Sequence, residues 1–218
     1  MKYLIPHDFT TVGDVAAKYA ISMAKKTEAE IALLHIVKSN KERIAAKKKL
    51  EKIADQLKSE TGIASIQILV KEGNIFNDIG ATAEKEKCRL VVMGTHGAKG
   101  MQKVFGSYAI KVITNASVPF MIVQDEDPDK EIKKIVLPID LTMESMQVSK
   151  LAAEMALRFG AKVHIIAAKQ KDATLRRKRK IHFKVLEKQF EELGVDCELN
   201  AVEGSSKLHK LVIDYAEK

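Results

Sequence analysis

Residues 2–10 of this chain recur in similar form 132 positions later, and this recurrence limits the folds that the chain can adopt. Lys2–Thr10 reads KYLIPHDFT, and Lys134–Thr142 reads KIVLPIDLT, with the lysine, proline, aspartate and threonine in register. The correspondence continues without a gap, so that residues 31–34 match residues 163–166. A period this long indicates a duplicated domain, because solenoid repeats span ~20–50 residues.

Strand patterns alternate with helical patterns through the first copy. Short apolar runs, typical of strands buried in a parallel sheet, lie at 3–6, 30–37, 65–70, 90–93 and 118–123. Between them, apolar residues recur near helical spacing over 14–25, 41–60, 75–86 and 107–115. This alternation predicts an α/β fold in which helices cover both faces of a parallel sheet.

The second copy is shorter than the first. Its patterns predict strands at 135–139, 162–168 and 196–202, and helices near 144–159, near 173–193 and from 206 onward. Residues 90–123 have no counterpart in it, so its opening strand would have one unpaired edge. We therefore expect that the sequence is truncated or that a partner chain fills the gap. The predicted organisation is a complete domain at 1–124, an acidic linker at 125–131 and an incomplete domain at 132–218.

Composition favours a protein without membrane or nucleic-acid partners. No apolar run approaches the ~20 residues that span a bilayer, so we expect a cytoplasmic protein. The net charge of +8 is divided equally between residues 1–130 and 131–218. The densest basic run, Arg176–Lys180, starts an amphipathic helix that continues through Phe183 and Phe190, and no aromatic platform for stacking on bases accompanies it. Cys88 and Cys197 lie beside strand patterns and are predicted to be buried free thiols.

The segment after the fourth predicted strand carries the clearest chemical signal. Residues 90–93 run directly into Gly94 and Gly97, and Gly106 with Ser107 opens the next helix. Glycines let a ligand approach the backbone closely, and N–H groups at a strand end and a helix start converge on one place. Such a cluster favours an anion, most often a phosphate. The sequence therefore predicts an anion site between Gly94 and Ser107.

Together these features resemble the universal stress protein family in a tandem two-domain form. The resemblance rests on the strand ending Pro6-His7-Asp8, the segment Val91–Gly97, the Gly106-Ser107 pair and the strand Val118–Val123. It covers residues 1–123 in full and 132–218 as an incomplete copy. It implies a Rossmann-like fold of the adenine nucleotide alpha hydrolase type, with five parallel strands in the order 3-2-1-4-5 and a partial second copy.

The resemblance also implies a ligand. In nucleotide-binding members of the family, ATP lies at the carboxyl ends of the strands, as ligands do in other open α/β sheets. ATP or a related adenine nucleotide, with Mg²⁺, would here contact Asp8, Val37, Met93, Gly94, His96, Gly97, Gly106 and Ser107. Asp8 would accept from the ribose or the adenine amine, while Val37 and Met93 would cover the base. The implied function is that of a stress-response protein whose nucleotide occupancy alters its association with a partner.

Two other functions remain open at this point. The segment between Gly97 and Gly106 has eight residues, where the ATP-binding pattern of the family usually has nine. The chain could therefore be a dimerisation module without nucleotide, in which Val118–Val123 pairs with its copy in a second molecule. An ATP hydrolase or a nucleotidyl transferase is a weaker alternative. Motifs such as Gly-x-Ser-x-Gly, His-Glu-x-x-His and Cys-x-x-Cys do not occur, so we predict no catalytic residue.

Individual residues also allow a purely structural interpretation. Asp8 recurs as Asp140, which no glycine segment accompanies, so it could be a turn residue or a helix N-cap instead of a ligand contact. His7 and His96 follow strand ends that should be adjacent. Because no Cys or carboxylate set completes metal-ligand spacing around them, we interpret them as hydrogen-bonding loop residues and predict no metal site.

Overall fold

The computed structural model describes residues 1–95, 107–124, 131–140, 142–203 and 208–216. For residues 107–109, 143–144 and 208–209 it describes the backbone alone. The chain forms two compact units, Met1–Lys130 and Glu131–Lys218. Among the described residues, no helix is both long enough and apolar enough to cross a membrane.

The first unit is a five-stranded parallel sheet with helices between its strands. Its strands are β1 (Lys2–Pro6), β2 (Glu30–Val37), β3 (Gln67–Glu72), β4 (Leu90–Gly94) and β5 (Phe120–Val123). Its helices are α1 (Thr11–Thr27), α2 (Arg43–Thr61), α3 (Ile75–Lys85) and α4 (Ser107–Thr114), with a short 3-10 turn at Asn40–Glu42 before α2. The order β3-β2-β1-β4-β5, with every pair parallel, confirms the predicted fold class.

Strand β5 is two residues shorter than the apolar run predicts. Pro119 lacks an N–H and cannot donate to the ladder, although its carbonyl accepts the N–H of Val91 at 3.0 Å. Regular pairing therefore begins at Phe120, opposite Val91. Since β5 pairs only with β4, its outer edge has no strand partner within the described part of the chain.

Local sequence determines where α1 begins and which face it buries. Thr10 is extended, and its hydroxyl accepts the N–H of Gly13 at 3.4 Å, which caps the helix. One face of α1 consists of small and aliphatic residues, and Ala16, Ala17, Ala20 and Ile21 are fully buried. These side chains allow α1 to pack closely over β1, β2, β4 and β5.

The second unit repeats the opening of the first. Its strands are β6 (Lys134–Pro138), β7 (Lys162–Ala168) and β8 (Cys197–Val202), which form a parallel sheet in the order β6-β7-β8. Its helices are α5 (Met143–Phe159), α6 (Ala173–Glu192) and α7 (Leu208–Ala216), and its core centres on Ile165, Leu186 and Phe190. Strand β6, the counterpart of β1, pairs only with β7 among the described residues, as the missing counterpart of residues 90–123 predicts.

Candidate functional site

A cavity of about 260 Å³ opens at the carboxyl ends of β1, β2 and β4. The sheet continues from β1 toward β2 and β3 on one side and toward β4 and β5 on the other, so the cavity lies where the strand order reverses. Ligands of open α/β sheets bind at this kind of position. Its apolar lining includes Leu34, Ile36, Ile75, Ile79, Met93 and Val112, and its polar lining includes His7, Asp8, His35 and Thr95.

Three of the eight predicted contact residues line this cavity, namely Asp8, Met93 and Gly94. Val37 does not line it: its side chain is only 2% exposed, and its carbonyl accepts the N–H of Gly73 at 3.0 Å. Ile36, one residue earlier on β2, lines the cavity beside Met93. Ile36 and Met93 pack against the same core cluster as Leu34, because alternate side chains of a strand share one face of the sheet.

The predicted phosphate end of the site lies largely outside the described residues. This holds for His96, Gly97 and Gly106. For Ser107 the structure describes the backbone, which forms the first residue of α4. The predicted anion site between Gly94 and Ser107 therefore stays a prediction from the sequence.

Asp8 has the turn role that its recurrence suggests, and it also borders the cavity. One carboxylate oxygen, Oδ1, accepts from the N–H of Thr10 at 3.1 Å and from the Thr10 hydroxyl at 2.5 Å. In the second unit, Asp140 accepts from Thr142 in the same way, at 3.1 and 2.7 Å, and these bonds lower the pKa of Asp140. The shared turn therefore needs Asp8 and Asp140 alike, whereas only Asp8 borders the described cavity.

His7 is a buried residue with two partners, as its interpretation as a hydrogen-bonding loop residue predicts. Its side chain accepts the N–H of Phe9 on Nδ1 at 3.0 Å, and Nε2 lies 3.1 Å from Oδ1 of Asp14. A backbone N–H can only donate, so Nδ1 carries no proton and Nε2 donates to Asp14. Burial lowers the pKa of His7, although the Asp14 carboxylate partly offsets this by favouring the charged form.

The turn after β1 is also held from the side. Phe9 adopts a left-handed backbone conformation with φ 65°, which is uncommon for a residue other than glycine. Its ring lies 4.1 Å from the ring of His35, centroid to centroid, and Nζ of Lys49 lies 5.4 Å from the Phe9 centroid. His35 in turn donates from Nδ1 to the carbonyl of His7 at 2.7 Å. One rim of the cavity is therefore a turn fixed by β2 and α2.

The structure corrects the reason for glycine at position 94. A Cβ added there would lie 2.4 Å from the carbonyl oxygen and 2.8 Å from Cγ1 of Val12. The sequence predicts a phosphate beside this glycine, but the backbone of α1 occupies the space where a Cβ would lie. Gly94 borders the cavity, yet it is glycine because α1 and β4 approach each other so closely.

Thr95 carries the polar atom in the cavity wall that most needs a partner. Its N–H continues the ladder by donating to the carbonyl of Val123 at 2.9 Å. Its hydroxyl oxygen is buried and has no hydrogen-bond partner among the described residues. An unsatisfied buried group costs about 1–3 kcal/mol, so a ligand that bonded to it would recover this energy. The sequence did not predict Thr95, because a threonine between two glycines carries no pattern that marks it as a ligand contact.

Comparisons with known proteins agree with this architecture. The universal stress protein family matches residues 1–124. A universal stress protein of Methanocaldococcus jannaschii is 34% identical over 150 residues, which cover 60% of this chain and 84% of that protein. The crystal structure of a universal stress protein from Archaeoglobus fulgidus has a TM-score of 0.80 at 17% identity. That match covers 99% of this chain, including both units, and 82% of the other.

Nucleotide binding is known for at least one protein in the comparison. A universal stress protein solved in complex with cAMP matches 58% of this chain and 98% of its own, at 16% identity and a TM-score of 0.48. The complex establishes nucleotide binding for that protein.

Proposed function

This chain belongs to the universal stress protein family, and we propose that it is a cytosolic protein whose first unit reversibly binds ATP or a related adenine nucleotide. The observation that carries the proposal is the cavity at the reversal of strand order, between the carboxyl ends of β1 and β4. Nucleotides are typical ligands at this position of an open α/β sheet.

The lining of the cavity suits an adenine base and a ribose. Ile36, Ile79 and Met93 provide apolar surface for the flat faces of a base, while Asp8 and Thr95 offer polar atoms for its edge or for ribose hydroxyls. The volume of about 260 Å³ is slightly below the roughly 300–1,000 Å³ of typical ligand pockets. The triphosphate would therefore extend out of the cavity.

We assign the phosphates to the segment between Gly94 and Ser107 on the strength of Gly97 and Gly106, since the glycine at position 94 is explained by the packing of α1. In this proposal His96, Gly97 and Gly106 remain contacts of the nucleotide, as the family resemblance implies. Ser107 at the start of α4 adds a helix N-terminus, which favours negative charge. Mg²⁺ would arrive with the phosphates, because it is usually held by phosphate oxygens, water and one or two carboxylates.

Calorimetric titration of the full chain with ATP and Mg²⁺ tests the proposal, and the duplication supplies a matched control. Asp8→Asn and Asp140→Asn both keep a carbonyl oxygen that can accept from the following threonine, so both should perturb their turns equally. Only Asp8→Asn should weaken ATP binding, by about tenfold, the loss expected for one hydrogen bond to a charged group.

Gly97→Val should abolish binding without altering the circular dichroism of the protein, because it would block the approach of the phosphates. The proposal fails if the unaltered chain shows no binding at millimolar ATP. It also fails if Asp8→Asn and Asp140→Asn weaken binding to the same extent.

The outer edge of β5 supports a second function, self-association. This edge has no strand partner among the described residues, and unpaired edges are templates for pairing with another chain. Helix α4 connects the proposed phosphate site to β5, so nucleotide occupancy would alter that association. Light scattering at several protein concentrations, with and without ATP, tests this. A strict monomer excludes the pairing, and a dimer that neither binds nor responds to nucleotide indicates an interaction module alone.

A further inference from the structure

We propose that His7 is a positioning residue that makes ligand binding in the cavity depend on protonation: neutral His7 holds the turn that presents Asp8, and protonated His7 releases it. This inference rests on the proposed function, because it concerns the affinity of the same cavity.

The two hydrogen bonds of the His7 ring have fixed directions. Nδ1 accepts the N–H of Phe9 at 3.0 Å, and Nε2 donates to Asp14 at 3.1 Å. The only position at which the ring can take up another proton is Nδ1. A protonated Nδ1 would place two N–H donors against each other across 3.0 Å, so this bond must break.

The geometry indicates that the turn moves and the ring stays. The His7 residue is only 3% exposed, and a Cβ added at Gly13 would lie 3.1 Å from its Cε1, so the ring has little room. Protonation would also strengthen its pairing with Asp14, which holds the ring in place. Phe9 has a left-handed backbone at φ 65°. This conformation costs a non-glycine residue free energy and persists only where surrounding contacts maintain it. Losing the bond to Nδ1 therefore favours relaxation of Phe9.

Relaxation at Phe9 would displace the residues on either side of it. Asp8 precedes Phe9 and borders the cavity, while Thr10 follows it and donates both hydrogen bonds that fix the Asp8 carboxylate. If the backbone changes at Phe9, either the hydrogen bonds between Thr10 and Asp8 or the position of Asp8 at the cavity must also change. The ligand would lose a prepositioned Asp8.

The charges around His7 set the pH range of this effect. Among the described residues, the Asp14 and Asp8 carboxylates favour the charged imidazole, whereas burial and nearby His35 oppose it, with burial the largest influence. The pKa of His7 therefore lies below 6.5, and His7 is neutral at physiological pH. Binding and protonation then oppose each other reciprocally, so a bound ligand should lower the proton affinity of His7 further.

The test measures the affinity of the full chain for adenosine and for ATP between about pH 8 and about pH 5. Adenosine carries no phosphate that titrates in this range, so its affinity reports the protein alone. The affinity of the unaltered chain should be constant above pH 6.5 and should fall by up to tenfold per pH unit once His7 is protonated.

Two variants assign the dependence to His7. Whatever its absolute affinity, His7→Asn should show no such fall, because its side-chain oxygen can accept from Phe9 and does not titrate. Asp14→Asn removes a charge that favours protonation, so the fall should move to lower pH. His35→Asn should keep the fall. If the affinity of the His7→Asn protein falls between about pH 8 and about pH 5 by the same factor as that of the unaltered chain, the role of His7 is overturned.

A measurement without ligand separates this inference from the proposed function. The amide of Phe9 should be protected from hydrogen exchange above pH 6.5 and lose protection as His7 titrates, as followed by NMR. Protection that survives His7 protonation overturns the inference. If neither adenosine nor ATP binds at any pH, the proposed function fails, and with it the effect on affinity. The Phe9 amide then still decides whether His7 controls the turn.

Discussion

Replacing Gly94 by alanine tests the close approach of α1 to β4. The new Cβ would lie 2.4 Å from the Val12 carbonyl oxygen, and that atom belongs to the helix backbone, which cannot rotate away as a flexible side chain could. Non-bonded heavy atoms prefer about 3.5–4.0 Å, so α1 and β4 would have to separate by roughly 1 Å.

The expected cost follows from what that separation disturbs. The face of α1 that packs on the sheet includes Ala16, Ala17, Ala20 and Ile21, all of which have no exposed surface. Overpacking of a dense core typically costs about 1–3 kcal/mol. Because the whole helix must shift, Gly94→Ala should lower the unfolding free energy of the first unit by an amount near the upper end of this range, about 2–3 kcal/mol. This corresponds to a factor on the order of a hundred in the opening equilibrium.

Hydrogen exchange of the β1 and β4 amides is the appropriate assay, because it reports the first unit separately and leaves the second unit as an internal reference. Gly13→Ala is the matched control. Its Cβ would lie 3.1 Å from side-chain atoms of Asp8 and His7, a tight contact that a helix-propensity gain of about 1 kcal/mol offsets. The reasoning is refuted if Gly94→Ala accelerates exchange less than tenfold, or no more than Gly13→Ala does.

Three further predictions follow from buried polar groups. Thr95→Val should raise the unfolding free energy by up to about 1 kcal/mol, since it removes a buried hydroxyl without a partner among the described residues, yet calorimetry should show weaker ATP binding. The unfolding free energy should decrease as pH falls below 6.5, because the lowered pKa of His7 lets the unfolded chain bind a proton that the native chain excludes; urea titrations should show a smaller decrease for His7→Asn. Burial raises the pKa of Cys88 to about 11, so iodoacetamide at about pH 8 should modify this thiol only when the first unit unfolds. Modification of the native protein at the rate of a free thiol would contradict this prediction.

Most element positions could be read from the sequence because their signals are local. The apolar runs predicted β2 and β7 with the bounds that the structure shows, Glu30–Val37 and Lys162–Ala168. Helix α1 begins three residues before the predicted start at Asp14, because the Thr10 cap precedes the first apolar position. Strand β3 lies two residues later than predicted. Its limits follow from its pairing with β2, in which Gln67 lies opposite Ala32, and no local pattern reports this register.

The candidate site was only partly accessible to the same reasoning. Asp8, Met93 and Gly94 line the cavity. They could be predicted because ligands of open α/β sheets bind at the carboxyl ends of the strands, where these residues lie. Ile36, His35 and Thr95 were missed. Each lines the cavity through the packing of segments distant in the chain, and the apolar pattern of β2 could at most have suggested Ile36 over Val37.

The sequence alone determined the duplication, the alternation of strands and helices and the glycine pattern after β4, because periodicity and turn chemistry are properties of neighbouring residues. Tertiary structure alone decided that Gly94 accommodates the backbone at Val12, that Nδ1 of His7 carries no proton and that the Thr95 hydroxyl has no partner within the described residues. These facts depend on distances between segments far apart in the chain, and only the packed molecule defines those distances.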